Sequence, residues 1–348
     1  MKVVHIESGL GNQMLSYCEY LAMKQTNPEE PCYIEKIVYD IPAANDYINQ
    51  WNGYELERIF GIKAPDVMEL LSPEGRETVL ASVKNSQFWL REWNWPVYFA
   101  RAFAEAGLPL VNARGDFEAN KLEWSACKQG TPPLSYRIKQ TGLYANIRRL
   151  YKQYRSKPEA SDMDNLFYSS PEDQLIGQRL SFKFKGNGIE RIDRELREAF
   201  RFPPIEDEEN RAFAEKIAGC EAVAIHVRRG DMLPTSGKYY KSGYFRRAVR
   251  YMKKHVKNPV FFFFCDPDSA QWCRENNRVF GLNPKRDEIV YCSCNGGENS
   301  YRDMQLMAQC KHNIVTNSSF GWWGAYLNQN PGKITISPEM DINTTHHM

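Results

Sequence analysis

The sequence predicts an α/β protein with helices on both faces of parallel sheet, and three features predict it. From Ala222 to Ile336, apolar runs of strand length alternate with helical patterns, the rhythm of parallel strands joined by crossover helices. Near the start, the apolar run Val3–Ile6 leads through Gly9 and Gly11 into a helical pattern carrying Leu15, Leu21 and Met23. That stretch reads as strand, glycine turn and helix. Between the two regions, Pro203-Pro204 stop a helix, because proline restricts the residue before it and cannot continue the helical ladder. A chain of 348 residues is long enough for two domains with separate cores, and the expected division is 1–200 and 201–348.

The second half is the more regular. Helices are expected over Ile189–Phe202 and Asp207–Ala218, followed by a strand at Ala222–Val227 and a helix at Tyr244–His255. Strand Val260–Cys265, helix Ser269–Asn276, strand Glu288–Tyr291 and helix Ser300–Cys310 come next. Strand Asn313–Thr316, helix Phe320–Leu327 and strand Lys333–Ile336 complete the series. In the first half, Tyr47, Trp51, Tyr54 and Phe60, and the tryptophans at 89, 93 and 95, read as domain core, with a carbohydrate platform as the second reading. Residues 125–190 are polar and basic, with helices expected around Tyr144–Tyr154 and Pro171–Leu180 and a turn at Gly186-Asn187-Gly188.

Composition narrows the function classes. With 42% hydrophobic residues and a net charge of +2, disorder and bulk nucleic-acid binding are disfavoured. The cysteines number 9, an odd count scattered through core-like segments, which fits buried thiols in a reducing compartment better than a disulfide framework. No apolar run approaches the ~20 residues that cross a bilayer, and the chain opens directly on a strand. The expected location is therefore the cytoplasm. The basic stretch Lys238–Lys257 reads either as a solvated helix face or as a surface for peripheral membrane contact.

The chemistry-bearing residues cluster where strands end. In Ala222–Asp231, AVAIHVRRGD, the apolar alternation ends in Arg228 and Arg229. A guanidinium is planar, always charged and forks onto paired oxygens, so arginines at the carboxyl end of a strand suit a phosphate or pyrophosphate. The bland alternative is an ion pair between this pair and Asp231. In Phe261–Asp268, FFFFCDPD, the carboxylates of Asp266 and Asp268 leave a buried strand. They suit either a divalent cation on a nucleotide diphosphate or the N–H edge of a guanine. The fixed arginines favour the second, since they already bring the positive charge a metal would supply. In Thr316–Leu327, TNSSFGWWGAYL, the small donors Asn317, Ser318 and Ser319 stand at a helix start, as phosphate cradle or as ordinary cap. Trp322 and Trp323 read as packing residues. Gly9-x-Gly11 lacks the third glycine of a dinucleotide fingerprint, which disfavours a nicotinamide enzyme.

At these residues the chain resembles the bacterial α-1,2-fucosyltransferases, the family that includes the mammalian blood-group-type α-1,2 enzymes. Gly9-Leu10-Gly11-Asn12-Gln13-Met14 is similar to its N-terminal motif, and His226-Val227-Arg228-Arg229-Gly230-Asp231 to its HxRRxD motif. Asp303 through Leu327 is similar to its C-terminal block, with two departures: Gly321 where the family commonly has Ser, and Tyr326 where it commonly has Trp. The resemblance implies a GT-B-like fold, two Rossmann-like domains facing a cleft, with GDP-fucose held mainly by the C-terminal one and no metal or other cofactor. It implies inverting transfer from GDP-β-L-fucose to the 2-hydroxyl of a terminal galactose on an oligosaccharide. Carried over by position, Arg228 contacts the β-phosphate, His226 and Asp266 lie near the guanosine, and Ser318 and Ser319 lie near the phosphates. Asn12 approaches the fucose or the pyrophosphate, and Gly11, Gln13, Arg229, Asp303 and Asn317 complete the donor set. Asp231 joins Arg228 and His226 as a catalytic candidate. The general base stays open among Asp231 and Glu7 by position, His5 by type, and the leaving phosphate itself. Two other readings stand beside this one, another GDP-sugar transferase and a nucleotide-sugar or glycan-binding protein without turnover.

Overall fold

The structure is a computed structural model. It describes residues 1–48, 52–90, 95–111, 134–139, 141, 143–144, 147, 166–167, 174–177, 188–230, 233–266 and 269–338. The chain divides into two compact units. The first is made of the described parts of 1–122 and 158–203, the second of the described parts of 123–157 and 204–340.

In the first unit, β1 (Lys2–His5) is followed by α1 (Leu10–Thr26) and β2 (Cys32–Glu35). Helices α2 (Pro73–Ser86) and α3 (Trp95–Glu105) follow, and β3 (Leu175–Ile176) closes a parallel sheet of order β2-β1-β3. Val79 and Val83 of α2 and Phe99 and Phe103 of α3 share one core with Val3, Phe88, Trp89 and Trp95. The tryptophans at 89 and 95 are thus packing residues, not a carbohydrate platform; Trp51 and Trp93 lie outside the described residues. β3 corrects the helix expected over Pro171–Leu180. Leu175 and Ile176 pair in parallel with Val3 and Val4, and both are buried. An apolar pair that fits a sheet edge overrides weak helical propensity. The helix expected over Ile189–Phe202 forms only as a 3₁₀ turn, Ile189–Ile192, and a short helix, Asp193–Ala199. The expected turn residues Gly186 and Asn187, and the helix expected over Tyr144–Tyr154 apart from Tyr144 and Ile147, lie outside the described residues.

The second unit follows the alternation read from sequence. Helix α4 (Glu208–Ala218) starts where the Asp207 side chain accepts the Asn210 N–H at 2.8 Å, an N-cap that satisfies one orphan donor. Then come β4 (Glu221–Val227), α5 (Leu233–Lys241), α6 (Tyr244–His255), β5 (Pro259–Cys265), α7 (Ala270–Glu275) and β6 (Glu288–Cys292). α8 (Tyr301–Gln309), β7 (His312–Ile314), α9 (Ser319–Leu327) and β8 (Thr335–Ile336) complete it. All neighbours in the sheet β6-β5-β4-β7-β8 are parallel. Phe261, Phe262, Phe263 and Phe264 are all fully buried, so β5 is covered on both faces, as a near-continuous apolar strand requires. Helix α6 buries Tyr244, Phe245, Ala248, Val249 and Met252 on one side and exposes Arg246, Arg247, Arg250 and Lys254 on the other. The α/β class with parallel sheets is the class expected. Among the described residues no helix is long and apolar enough to cross a membrane. The described cysteines are free; Cys294 is exposed and Cys220 only partly buried, contrary to the expectation of buried thiols throughout, and Cys127 lies outside the described residues.

Candidate functional site

The register of the C-terminal sheet builds the site. Val227 pairs with Cys265, so the next residues, Arg228 and Asp266, leave the sheet side by side. Arg228 Nη1 donates to Asp266 Oδ1 at 2.6 Å, and Asp266 Oδ2 accepts the backbone N–H of Arg229 at 3.1 Å. Arg228 therefore does have a carboxylate partner, but it is Asp266 of the neighbouring strand; Asp231 and Asp268 lie outside the described residues. A Cβ at Gly230 would stand 3.3 Å from Asp266 Oδ2, so a larger residue there would push that carboxylate by a few tenths of an ångström. The second arginine has a different role. The Arg229 guanidinium lies 3.4 Å from the centre of the Trp272 ring and 5.4 Å from that of Tyr240, a cation–π stack on α7 and α5. Tyr240 in turn donates its hydroxyl to the Arg228 carbonyl at 2.8 Å. Trp272 and Tyr240 were not marked by sequence; an aromatic at helical spacing carries no sign of which arginine it will meet.

On the other flank of β4, Ile225 pairs with Ile314, which brings Thr316–Ser319 alongside the strand's exit. His226 is buried, and its Nδ1 has no hydrogen-bond partner among the described residues; the same is true of the Thr316 hydroxyl. A Cβ on Gly321 would lie 2.4 Å from that Nδ1, so the imidazole rests directly on the backbone of α9. Burial pushes the His226 pKa down to about 4, with the Arg228 charge adding to the effect. The ring is neutral at pH 7. Asn317, Ser318 and Ser319 are buried at the start of α9, and Ser318, in the N-cap position, makes no side-chain capping bond. A helix start whose N-cap hydroxyl is not turned onto its own backbone keeps its anion-favouring character.

Asp303, on α8, is tied into a buried amide network. Its Oδ1 accepts Asn295 Nδ2 at 2.7 Å, and Asn295 exchanges hydrogen bonds of 2.8 and 2.9 Å with Asn210. Burial pushes the Asp303 carboxyl up to about 7, and the charge of Asp266 pushes it the same way. Asn210 and Asn295 are 85 residues apart, a pairing no local pattern announces.

In the N-terminal unit, Gly11, Asn12 and Gln13 form the first turn of α1. The Gln13 amide is engaged within the unit. It donates to the carbonyls of Ser8 at 3.0 Å and Gly53 at 2.8 Å, and accepts the Glu55 N–H at 2.8 Å. The Glu55 carboxylate accepts a backbone hydrogen bond from Leu10, so the start of α1 already meets a negative charge from its own chain. Close by, His5 is stacked on Trp95 and lies between the carboxylates of Glu7 and Glu35.

Residues 210–346 match the family model described as glycosyl transferase family 11. That stretch holds His226, Arg228, Arg229, Asp266, Asp303 and Asn317–Ser319, whereas the His5–Gln13 region precedes it. The chain is 35% identical over 123 residues to an alpha-1,2-colitosyltransferase of Escherichia coli, covering 34% of this chain and 40% of that protein. It is 32% identical over 110 residues to galactoside alpha-(1,2)-fucosyltransferase 1 of Saimiri sciureus, covering 30% of this chain and 28% of that one. The match thus spans less than half the length of either relative. The crystal structure of NodZ alpha-1,6-fucosyltransferase with GDP aligns over 92% of this chain and 90% of its own, with 15% identity and a TM-score of 0.40.

Residues 210–346, which match the family model, carry two predictions. Gly321→Ser places a Cβ inside the His226 ring's space and is expected to lower stability by about 1–3 kcal/mol, as overpacking does, measured by urea unfolding; His226→Ala in the same background should recover part of the loss. Between about pH 4 and 6.5, the unfolded chain binds a proton at His226 that the folded chain refuses, so stability falls as pH drops through that window. His226→Asn is expected to flatten this segment of the stability–pH curve.

Proposed function

We propose that this protein is a galactoside α-1,2-fucosyltransferase. It moves L-fucose from GDP-β-L-fucose to the 2-hydroxyl of a terminal β-galactose on an oligosaccharide or surface-glycan precursor, with inversion and without a metal. The observation that carries the reading is Arg228, held by Asp266 beside the start of α9, within the stretch that matches family 11. The division of labour is GT-B-like, with residues 1–200 on the acceptor side and 201–348 holding the donor.

The chemistry follows from where charge appears. As the bond from fucose C1 to the phosphate oxygen breaks, that oxygen gains negative charge, and a guanidinium placed there stabilises the transition state more than the ground state. Arg228 fills this role, with Asp266 orienting it and lying near the guanosine. His226 and Thr316 offer hydrogen-bonding groups without adding charge. Asn317, Ser318, Ser319 and the α9 backbone cradle the phosphates. Arg229, stacked on Trp272, holds the β4 exit in shape, and Asp303 sets the polarity beside Asp266. Gly11 and Asn12 approach the fucose or pyrophosphate, Gln13 holds their loop, and Asp231 completes the motif. The work takes place in the cytoplasm, where the basic face of α6, with Arg246, Arg250 and Lys254, suits peripheral contact with a lipid-linked acceptor.

A second reading, transfer of colitose, is favoured by the similarity to the colitosyltransferase. Colitose lacks one hydroxyl of fucose, so a site built to hydrogen-bond that hydroxyl discriminates strongly between the two donors. The test is transfer from both donors to β-galactosides that include lactose and the N-acetyllactosamine isomers, with and without EDTA. The expected product carries fucose on the galactose 2-position and is indifferent to chelator; preference for the colitose donor replaces the first reading with the second. Arg228→Ala is expected to lower kcat by ~10²–10³ with an unchanged circular dichroism spectrum, and an unfolded variant would make Arg228 structural instead.

A further inference from the structure

The second unit includes the described parts of 123–157, a stretch that the transfer chemistry leaves unused. It holds a short helix, Leu134–Lys139, and is helical again at Leu143, Tyr144 and Ile147. Large apolar side chains are left in water here. Leu134 is 70% exposed, Ile138 51%, Leu143 74% and Ile147 57%, and Leu134, Leu143 and Ile147 are the most exposed large hydrophobics among the described residues. A single exposed aliphatic is ordinary on a protein surface, whereas a group of them marks an interaction site. Leu134 and Ile138 stand four residues apart, and so do Leu143 and Ile147. That separation puts two side chains on one face of a helix.

Charge narrows the partner. From Leu134 to Lys157 the sequence has seven Lys or Arg and no Asp or Glu, in a chain whose net charge is only +2. Arg137 is exposed between Leu134 and Ile138. Exposed aliphatics within a run of cations are the make-up of an interfacial segment: Leu and Ile enter the boundary between headgroups and acyl chains, while Lys and Arg meet anionic lipid. A nucleic acid would engage the cations through its phosphates and leave the aliphatics in water. A second copy of this chain, meeting the first through the same patch, would set positive charge against positive charge. Helix α6 supplies the contrast within the same unit. It exposes Arg246, Arg247, Arg250 and Lys254 but buries its apolar side in the core, so it can attract an anionic surface and has no aliphatic side chain to insert.

We propose that Leu134, Ile138, Leu143 and Ile147, with Arg137 and the basic residues that follow, dock the second unit on an anionic lipid surface. The aliphatic side chains enter the bilayer boundary and the cations pair with lipid phosphates. This contact does not depend on which sugar the second unit handles. It also differs from attraction by cations alone in its response to salt. Screening removes most of a purely electrostatic contact, whereas buried aliphatic area keeps part of the affinity.

The test is cosedimentation of the full chain with vesicles of phosphatidylcholine alone or mixed with phosphatidylglycerol, at about 0.05 M and about 0.5 M NaCl, between which the Debye length shrinks about threefold. The chain is expected to sediment with the phosphatidylglycerol vesicles and not with phosphatidylcholine alone, and to keep a measurable part of that binding in high salt. Combining Leu134→Ser, Ile138→Ser, Leu143→Ser and Ile147→Ser is expected to weaken the partition by ~10² or more. The circular dichroism spectrum should be unchanged, because these side chains are exposed and add little to the core. Combining Arg137→Glu with Lys139→Glu should weaken the partition by ~10-fold or more. A parent chain that stays in the supernatant with phosphatidylglycerol vesicles at low salt overturns the assignment, and so does a folded quadruple variant within about twofold of the parent, since aliphatic burial would then contribute nothing. A parent that self-associates without lipid, and whose quadruple variant is monomeric, makes the face a contact between copies and overturns the lipid assignment. Tighter binding to duplex DNA than to vesicles, undiminished in the quadruple variant, overturns it as well.

Discussion

Because Val227 lies opposite Cys265 in a parallel ladder, Arg228 and Asp266 leave the sheet as neighbours, and the rest of the site is arranged around their ion pair. The two side chains are 20% and 22% exposed, partly withdrawn from water but not sealed from it. In that setting a charge-assisted hydrogen bond of 2.6 Å fixes the guanidinium in one orientation, and removing the carboxylate would leave a half-buried cation unpaired. Asp266 also takes the Arg229 N–H, so one carboxylate fixes the backbone of the turn as well as the Arg228 side chain. The Arg229 stack on Trp272 and the Tyr240 bond to the Arg228 carbonyl hold that same turn from the opposite side.

The two units use one local motif, strand, turn and helix, to opposite ends. At α1 the negative charge that a helix start favours comes from Glu55 of the same chain, and Gln13 ties the loop that carries it. At α9 the N-cap serine makes no side-chain capping bond, and beside it stand His226 Nδ1 and the Thr316 hydroxyl, both buried and unpartnered among the described residues. The same element is thus closed by its own carboxylate in one unit and left suited to an outside anion in the other.

Two buried imidazoles show how neighbours decide charge. Burial alone disfavours the protonated ring in both. At His5 the carboxylates of Glu35 and Glu7 reverse that preference, whereas at His226 the guanidinium of Arg228 reinforces it. One ring is therefore a cation between anions and the other a neutral group beside a cation.

Much of this was legible in the sequence, because it is local. Apolar alternation in AVAIHV and the unbroken FFFF run mark β4 and β5 as buried parallel strands, and the Gly, Pro and Asp punctuation marks where helices stop and start. The residues at the strand exits, Arg228, Asp266 and Asn317–Ser319, follow from the same reading, since in a parallel sheet the carboxyl ends all face one way. Where periodicity was weak, as around Leu175 and Ile176, the reading of a helix was wrong, because pairing with Val3 and Val4 outweighed propensity. What the tertiary structure alone decided was partnership: Asp266 for Arg228, Trp272 for Arg229, Gly321 beneath His226, and Glu35 and Glu7 around His5. Each joins residues from different elements, and sheet register and helix packing set those distances, whereas spacing along the chain does not.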